Sequence, residues 1–152
     1  RAHGDMRVYV YDGILALFAS LPYERSFTSN DQLRHVTNTC AQIDSTLPED
    51  ELVKEFSSLA DFDAEARETI FQQIKTIVRE IFTGLHPETS IFQPLNNAFE
   101  IYGLDFLVDE TNRVYFLEAN AYPDFKQTGN ALSVLIRELF ENVLQRIILP
   151  YF

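Results

Sequence analysis

Two strongly alternating segments in the second half of the chain dominate its pattern of apolar and polar positions. They run from residue 99 to 108 and from 113 to 120, and the turn-forming residues 109–112 separate them. Two β-rich runs joined by such a turn are typical of a β-hairpin. We therefore predict a hairpin with a four-residue turn at this place.

The predicted turn also fixes which residues face each other. It places Asp105 opposite Phe116, and it places Gly103 opposite Glu118. Opposed residues share a face of an antiparallel pair. One predicted face is mostly apolar and carries Tyr102, Leu104, Phe106, Val108, Tyr115, Leu117 and Ala119. The other face carries Gly103, Asp105, Glu118 and Asn120. A slip of one residue would reverse both faces, so the apolar row is expected to hold the register.

The first part of the chain combines short strand-like runs with a short helix. Residues 7–11 and 14–19 flank the turn pair at 12–13, which predicts a second hairpin. Residues 33–40 are predicted as a short strand or an irregular segment. Pro48 and the three acids after it are typical of the first turn of a helix. The apolar positions that continue this short helix are Leu52, Val53, Phe56 and Leu59.

Two longer segments have apolar residues at every third or fourth position, which predicts amphipathic helices. The first begins at Ala64, and Gly84 is expected just beyond its end. The second begins at about Asn130, and its apolar face continues to Ile147. Strands, helices, hairpin and helix in this order predict an α+β fold, in which helices pack on one side of an antiparallel sheet.

Composition narrows the class of protein. The 152 residues are 46% apolar and carry a net charge of −11, so we expect a globular domain that does not bind nucleic acid or anionic membranes directly. The single cysteine excludes an intramolecular disulfide, which fits a reducing compartment such as the cytoplasm. No apolar run approaches the roughly 20 residues that span a bilayer.

Three oxygen-bearing side chains meet on the polar face of the predicted hairpin. Asp105, Glu118 and Asn120 supply two carboxylates and an amide, which are hard ligands suited to Mg²⁺. Two facing carboxylates repel each other unless a cation lies between them. Acidic residues are also common on solvent-facing strands. The spacing alone therefore leaves a metal site and a plain exposed face as alternatives.

The residues around this hairpin resemble the tubulin-tyrosine ligase family, which belongs to the ATP-grasp ligases. Residues 102–109 match its Gly-apolar-Asp motif, and residues 115–123 match its apolar-Glu-x-Asn-x-x-Pro motif. Residues 33–38 resemble its His-apolar-Thr-Asn segment, and residues 7–20 resemble the hairpin that precedes it. Residues 120–129 are most similar to fungal members associated with cytoplasmic processing bodies and mRNA decapping.

The resemblance implies an ATP- and Mg²⁺-dependent ligase that joins an amino acid to a protein carboxylate through an acyl phosphate. Asp105, Glu118 and Asn120 would then bind Mg²⁺ and, through it, the phosphates of ATP. Thr37 and Asn38 match the catalytic segment that orients the acceptor carboxylate. A lone Thr-Asn pair more often caps a helix or forms a turn.

The resemblance also implies that residues 1–152 are the C-terminal part of an ATP-grasp domain. The chain begins with Arg1 rather than Met, so we expect it to be a fragment of a larger protein. Leu17 stands where the family usually has a basic residue, and the charge of −11 would repel an acidic tubulin tail. These departures keep a second function open, a catalytically degenerate module that binds a decapping or other mRNA-decay protein in the cytoplasm.

Overall fold

The computed structural model describes residues 6–26, 31–88, 90, 95, 98–123, 125 and 130–151. The chain divides into two compact units. The hairpin unit comprises Arg1–Asp12, Asp61–Lys126 and Ile136–Phe152. The short-strand unit comprises Gly13–Ala60 and Gln127–Leu135.

The regular elements confirm the predicted α+β class. In chain order they are β1 Leu15–Leu17, α1 Gln32–His35, α2 Glu49–Leu52, β2 Val53–Glu55, α3 Ala64–Leu85, β3 Gly103–Val108, β4 Val114–Asn120 and α4 Asn130–Val143. Single 3₁₀ turns span Thr39–Gln42, Phe56–Ser58 and Leu149–Tyr151, and a π-helical turn spans Leu144–Ile148. In the described residues, β1 pairs with β2 and β3 pairs with β4, and both pairs are antiparallel.

Helix α3 is the longest element of the hairpin unit, and its prediction is confirmed. It begins after Asp63, whose carboxylate accepts a hydrogen bond of 2.8 Å from the N–H of Ala66 and so caps the helix. Its end was predicted wrongly, because Gly84 lies inside the last turn. The helix continues past the glycine since the N–H of His86 still reaches the carbonyl of Phe82, at 2.9 Å.

The core of the hairpin unit lies between α3 and the hairpin formed by β3 and β4. Four of its buried side chains are Ile70, Ile74, Val78 and Val114. The first three recur at a four-residue spacing and so form one stripe along α3. Farther along the helix, the ring of Phe82 contacts that of Tyr102 edge to face at 5.8 Å. Helix α3 therefore contacts the hairpin near its loop, at Val114, and near the start of β3, at Tyr102.

The short-strand unit differs most from the predictions. The predicted hairpin of residues 7–19 is wrong, because Leu15–Leu17 pair with Val53–Glu55 from a distant part of the sequence. The N–H of Phe18 bonds to the carbonyl of Leu52, and the N–H of Phe56 bonds to that of Ile14, both at 2.8 Å. These bonds extend the ladder beyond both ends of the strands.

Two further predictions for this unit need correction. The short helix predicted through Leu59 ends at Leu52, because the next three residues enter the ladder with β1. Residues 33–40 were predicted as a strand or an irregular segment, yet they contain the end of α1 and the start of a 3₁₀ turn. Only the extended link between these two helical pieces fits the prediction.

Helix α4 is confirmed, and its predicted apolar face continues through the π-helical turn that follows. The predicted loop around residues 86–97 falls largely outside the described residues. Within the parts of the chain that the structure describes, no helix has the length and apolar character needed to cross a bilayer.

Candidate functional site

The loop between β3 and β4 has five residues rather than the predicted four. Val108 pairs with Val114, so the loop comprises residues 109–113. The N–H of Asp109 bonds to the carbonyl of Arg113 at 3.0 Å. Asn112 has a φ of 62°, in the left-handed region that asparagine tolerates better than most residues. The predicted turn is therefore wrong by one residue.

The carboxylate of Asp109 organises this loop. It accepts hydrogen bonds from the N–H and the hydroxyl of Thr111, at 2.8 and 2.7 Å, and from the N–H of Arg113, at 3.0 Å. Its other oxygen accepts the hydroxyl of Tyr115 at 3.1 Å. These bonds, first that of the Thr111 hydroxyl, lower the pKa of Asp109 to about 2. Asp109 is thus a charged acceptor that holds the loop together.

A β-bulge offsets the extra loop residue. With a five-residue loop, an uninterrupted ladder would place Asp105 opposite Leu117 and would turn Glu118 to the other face. Instead Phe106 lies opposite Phe116, and Asp105 lies opposite Glu118, so that Leu117 is the extra residue on β4. The predicted pairs are wrong. The two carboxylates nevertheless share a face because the two one-residue shifts compensate.

Between the loop and the bulge, the two faces differ from the prediction. Tyr115 was assigned to the apolar face, yet it lies opposite Leu107 on the same face as Asp105. The apolar face takes Val114, which is buried, and Phe116, whose ring lies 5.8 Å from that of Phe106. Leu117, also assigned to the apolar face, is the bulged residue and is 59% exposed.

The structure brings the three predicted ligands together. Asp105 and Glu118 lie directly opposite each other on β3 and β4. Asn120 lies opposite Gly103, and its Nδ2 atom donates to Oε1 of Glu118 at 3.2 Å. Partial desolvation raises the pKa of Asp105, and the charge of Glu118 raises it further. Two opposed carboxylates repel each other, and a cation between them would relieve this repulsion.

This donor set fits Mg²⁺. Among the described residues, no three His, Cys, Asp or Glu side chains gather at a metal-binding distance. The hairpin instead offers two carboxylates and one amide oxygen, all of them exposed to solvent. Mg²⁺ is usually bound by one or two carboxylates, and water and substrate phosphates complete its coordination. The role of these side chains as ligands stays a prediction.

Gly103 allows the chain after β4 to approach the strand closely. A Cβ atom at this position would lie 3.2 Å from the Cβ atom of Pro123. This separation is shorter than most contacts between such atoms, so an alanine would push Pro123 away. The Gly and Pro positions of the predicted motif thus contact each other directly beside Asn120.

Thr37 and Asn38 belong to the short-strand unit, where they lie exposed in the extended link after α1. Oδ1 of Asn38 accepts a hydrogen bond of 2.9 Å from the N–H of Cys40 and caps the following 3₁₀ turn. This is the capping role that the sequence left open as an alternative. The catalytic role of both residues stays a prediction.

Gln42 positions this link and was missed by the sequence analysis. It is 3% exposed, and its Nε2 atom donates to the carbonyls of Val36 and Gln32. Its Oε1 atom accepts from the N–H of Ser20 at 3.0 Å. One buried amide therefore joins the segment before Thr37 to the segment after β1. No motif marks such a residue, because its partners are backbone groups.

Comparison with known proteins places these features in a family. The sequence model of the tubulin-tyrosine ligase family matches residues 2–152. The probable tubulin-tyrosine ligase PBY1 of Saccharomyces cerevisiae is 43% identical over 157 aligned positions, which cover 98% of this chain and 21% of that protein. A probable tubulin-tyrosine ligase of Schizosaccharomyces pombe is 41% identical, with 99% of this chain and 37% of that protein covered. The chain thus spans well under half the length of both relatives.

A solved structure is similar over nearly the whole chain. It is the C-terminal domain of Pby1 from K. lactis, described as an ATP-grasp enzyme interacting with the mRNA decapping enzyme Dcp2. It is 39% identical to this chain, with a TM-score of 0.74, and the match covers 97% of this chain and 39% of that one. The resemblance found in the sequence motifs is therefore confirmed, and so is the predicted fold.

Proposed function

The chain belongs to the tubulin-tyrosine ligase family and has the ATP-grasp fold, and from this premise we propose that it is the C-terminal, Mg²⁺-binding part of a carboxylate-amine ligase. The proposed reaction joins an amino acid to a protein carboxylate through an acyl phosphate, with ATP as the phosphoryl donor. Segments outside this chain would supply the remainder of the nucleotide site.

The direct opposition of Asp105 and Glu118 carries this proposal. Two opposed carboxylates repel each other, and partial desolvation together with the charge of Glu118 raises the pKa of Asp105. A strand face that only meets solvent has no need of such a pair. Asn120 adds a third oxygen ligand and bonds to Glu118, so that all three groups are oriented by one hairpin.

Each side chain has a proposed task. Asp105 and Glu118 would hold the ion through their carboxylate oxygens. Asn120 orients Glu118 through its Nδ2 atom, and its Oδ1 atom would be available as a third oxygen ligand. Bound Mg²⁺ would neutralise the β- and γ-phosphates of ATP during phosphoryl transfer. Thr37 and Asn38 would orient the acceptor carboxylate, the latter through Nδ2 because its Oδ1 atom bonds to Cys40.

Calorimetric titration of the full-length protein with Mg-ATP tests the proposal. Glu118→Gln keeps the size of the side chain and removes one negative charge, so binding should weaken by about tenfold or more. Glu110→Gln is a matched control, because Glu110 is an exposed acid in the loop of the same hairpin. It should bind Mg-ATP like the wild type. An absence of nucleotide binding by the wild type would refute the ligase proposal.

A second function is that of a catalytically degenerate module, which binds a decapping protein in cytoplasmic processing bodies. Two observations support it. The similar Pby1 domain of K. lactis is described as interacting with Dcp2. Leu17, exposed on β1, also stands where the family usually has a cation. If this function is correct, calorimetry should show tight binding of the protein to the decapping enzyme of the same organism. The affinity should be the same for Glu118→Gln and should not depend on Mg-ATP.

A further inference from the structure

The amide of Gln73 bonds to the hairpin on both sides of the extra loop residue. From the half-buried face of α3, its Nε2 atom donates to the carbonyl of Asn112 at 2.8 Å. Its Oε1 atom accepts from the N–H of Val114 at 3.2 Å. The two backbone groups flank Arg113, the residue by which the loop exceeds a four-residue turn. The side chain therefore pairs with this edge of β4 as a peptide group of a third strand would.

These two bonds are compatible with the observed register, which has a five-residue loop, and not with the register of a four-residue turn. In an antiparallel pair, the N–H groups along a strand point alternately toward the partner strand and away from it. In the observed register the N–H of Val114 points away from β3 and reaches Gln73. In a four-residue turn Val114 would lie opposite Leu107, and its N–H would point into the ladder. Gln73 would then lose this partner.

The register near the loop decides the geometry of the carboxylate pair. If the loop had four residues and the bulge stayed in place, Asp105 would lie opposite Leu117. Glu118 would then project from the opposite face of the hairpin. The pairing of Asp105 with Glu118 therefore depends on a loop length that a helix side chain favours.

We propose that Gln73 is a positioning residue, which holds the hairpin in the register that places Asp105 beside Glu118. Its effect on metal binding rests on the proposed function, whereas its effect on the register does not. Arg113 contributes to the same loop, because its guanidinium lies 5.2 Å from the centre of the Tyr115 ring. Gln73 differs from Arg113 because it connects the loop to a separate element, helix α3.

The test compares Gln73→Met with Gln72→Met in the full chain. Methionine keeps the length of the side chain and removes both polar atoms. Gln72 is the next residue on α3, is exposed, and donates to Glu68 of the same helix at 2.5 Å. NMR measures amide exchange at Val114 and the cross-strand contacts of Asp105. Mn²⁺ binding, followed by electron paramagnetic resonance, reports on the metal site.

In Gln73→Met, exchange of the Val114 amide should be about tenfold faster, which corresponds to the loss of one hydrogen bond. Contacts between Asp105 and Glu118 should weaken, and Mn²⁺ affinity should fall about tenfold. Gln72→Met should leave all three unchanged. Gln73→Glu keeps an acceptor for the N–H of Val114 but places a carboxylate oxygen against the carbonyl of Asn112, so it should also shift the register and weaken Mn²⁺ binding. It also serves as the test variant if Gln73→Met does not fold.

Unchanged Val114 exchange and unchanged contacts of Asp105 in the Gln73 variants would overturn the proposal. Two other outcomes distinguish a failure of this proposal from a failure of the proposed function. If wild-type protein does not bind Mn²⁺ while the register still shifts in Gln73→Met, the role of Gln73 stands and the metal site is refuted. If the metal binds equally well to the wild type and to Gln73→Met with an altered register, the dependence of the metal site on Gln73 is refuted instead.

Discussion

The hairpin unit and the short-strand unit hold their candidate residues in different ways. In the hairpin unit, Asp105 and Glu118 are placed by the backbone ladder of two strands of six and seven residues. In the short-strand unit, the link that carries Thr37 lies between helical pieces of four residues each. There the hydrogen bonds of the buried Gln42 side chain, together with one backbone bond from the N–H of Leu21 to the carbonyl of Leu33, take the place of a ladder.

This difference bears on how each unit responds to mutation. A ladder divides the stability of the pairing among many backbone bonds, so the loss of one side chain can shift the register but does not abolish the pairing. A buried amide concentrates the task, because its removal takes the side-chain partner from the N–H of Ser20 and from the carbonyl of Val36, both in partly buried bonds. The short-strand unit should therefore be more sensitive to one substitution than the hairpin unit.

The largest effect is expected for Gln42→Met, which keeps the volume of the side chain and removes its three hydrogen bonds. The N–H of Ser20 and the carbonyl of Val36 would both lose a partner. We expect the free energy of unfolding to fall by about 2–4 kcal/mol. Urea unfolding, followed by circular dichroism, measures this change, and Gln72→Met provides the exposed control. A loss below about 1 kcal/mol would show that the two units do not differ as described.

A smaller and pH-dependent effect is expected for Asp109→Asn, which tests the loop of the hairpin. The pKa of Asp109 is lowered from 3.8 to about 2, so the carboxylate stabilises the folded state where it is charged. This contribution is fully present above pH 3.8 and is lost as the pH falls through about 2. The difference in unfolding midpoint between wild type and variant should therefore vanish toward pH 2. A difference that is the same at pH 2 and pH 6 would contradict this assignment.

The smallest effect is expected for Gly84→Ala, and it should be stabilising. Gly84 lies exposed in the last turn of α3, and nothing lies within 4 Å of a Cβ atom built there. Alanine has a higher helix propensity, so the free energy of unfolding should rise by about 0.5 kcal/mol. Hydrogen exchange should slow in α3 and stay unchanged at Phe18 and Val36. Equal slowing in both units would mean that they unfold together rather than separately.

Features that depend on neighbours in sequence were predicted well. Helices α3 and α4 follow from apolar residues at three- and four-residue spacings, because one turn of helix brings those residues to one side. The candidate ligands were identified in the same way, since Asp105, Glu118 and Asn120 stand in a motif of fixed spacing. The main failures are the β1–β2 pair, whose strands have three residues each and lie far apart in sequence, and the hairpin register.

The sequence by itself determined the family, the α+β class, the long helices and the three side chains that could hold Mg²⁺. Only the tertiary structure decided how those side chains meet. The loop length is favoured by the left-handed backbone of Asn112, by the carboxylate of Asp109 and by the amide of Gln73. The registers that compete here differ by one residue, and each offers apolar or aromatic side chains of β4 to the core, because residues 114–117 are all of this kind. A few polar contacts from outside the strands are therefore enough to select one register, and the pattern of the strands alone does not reveal them.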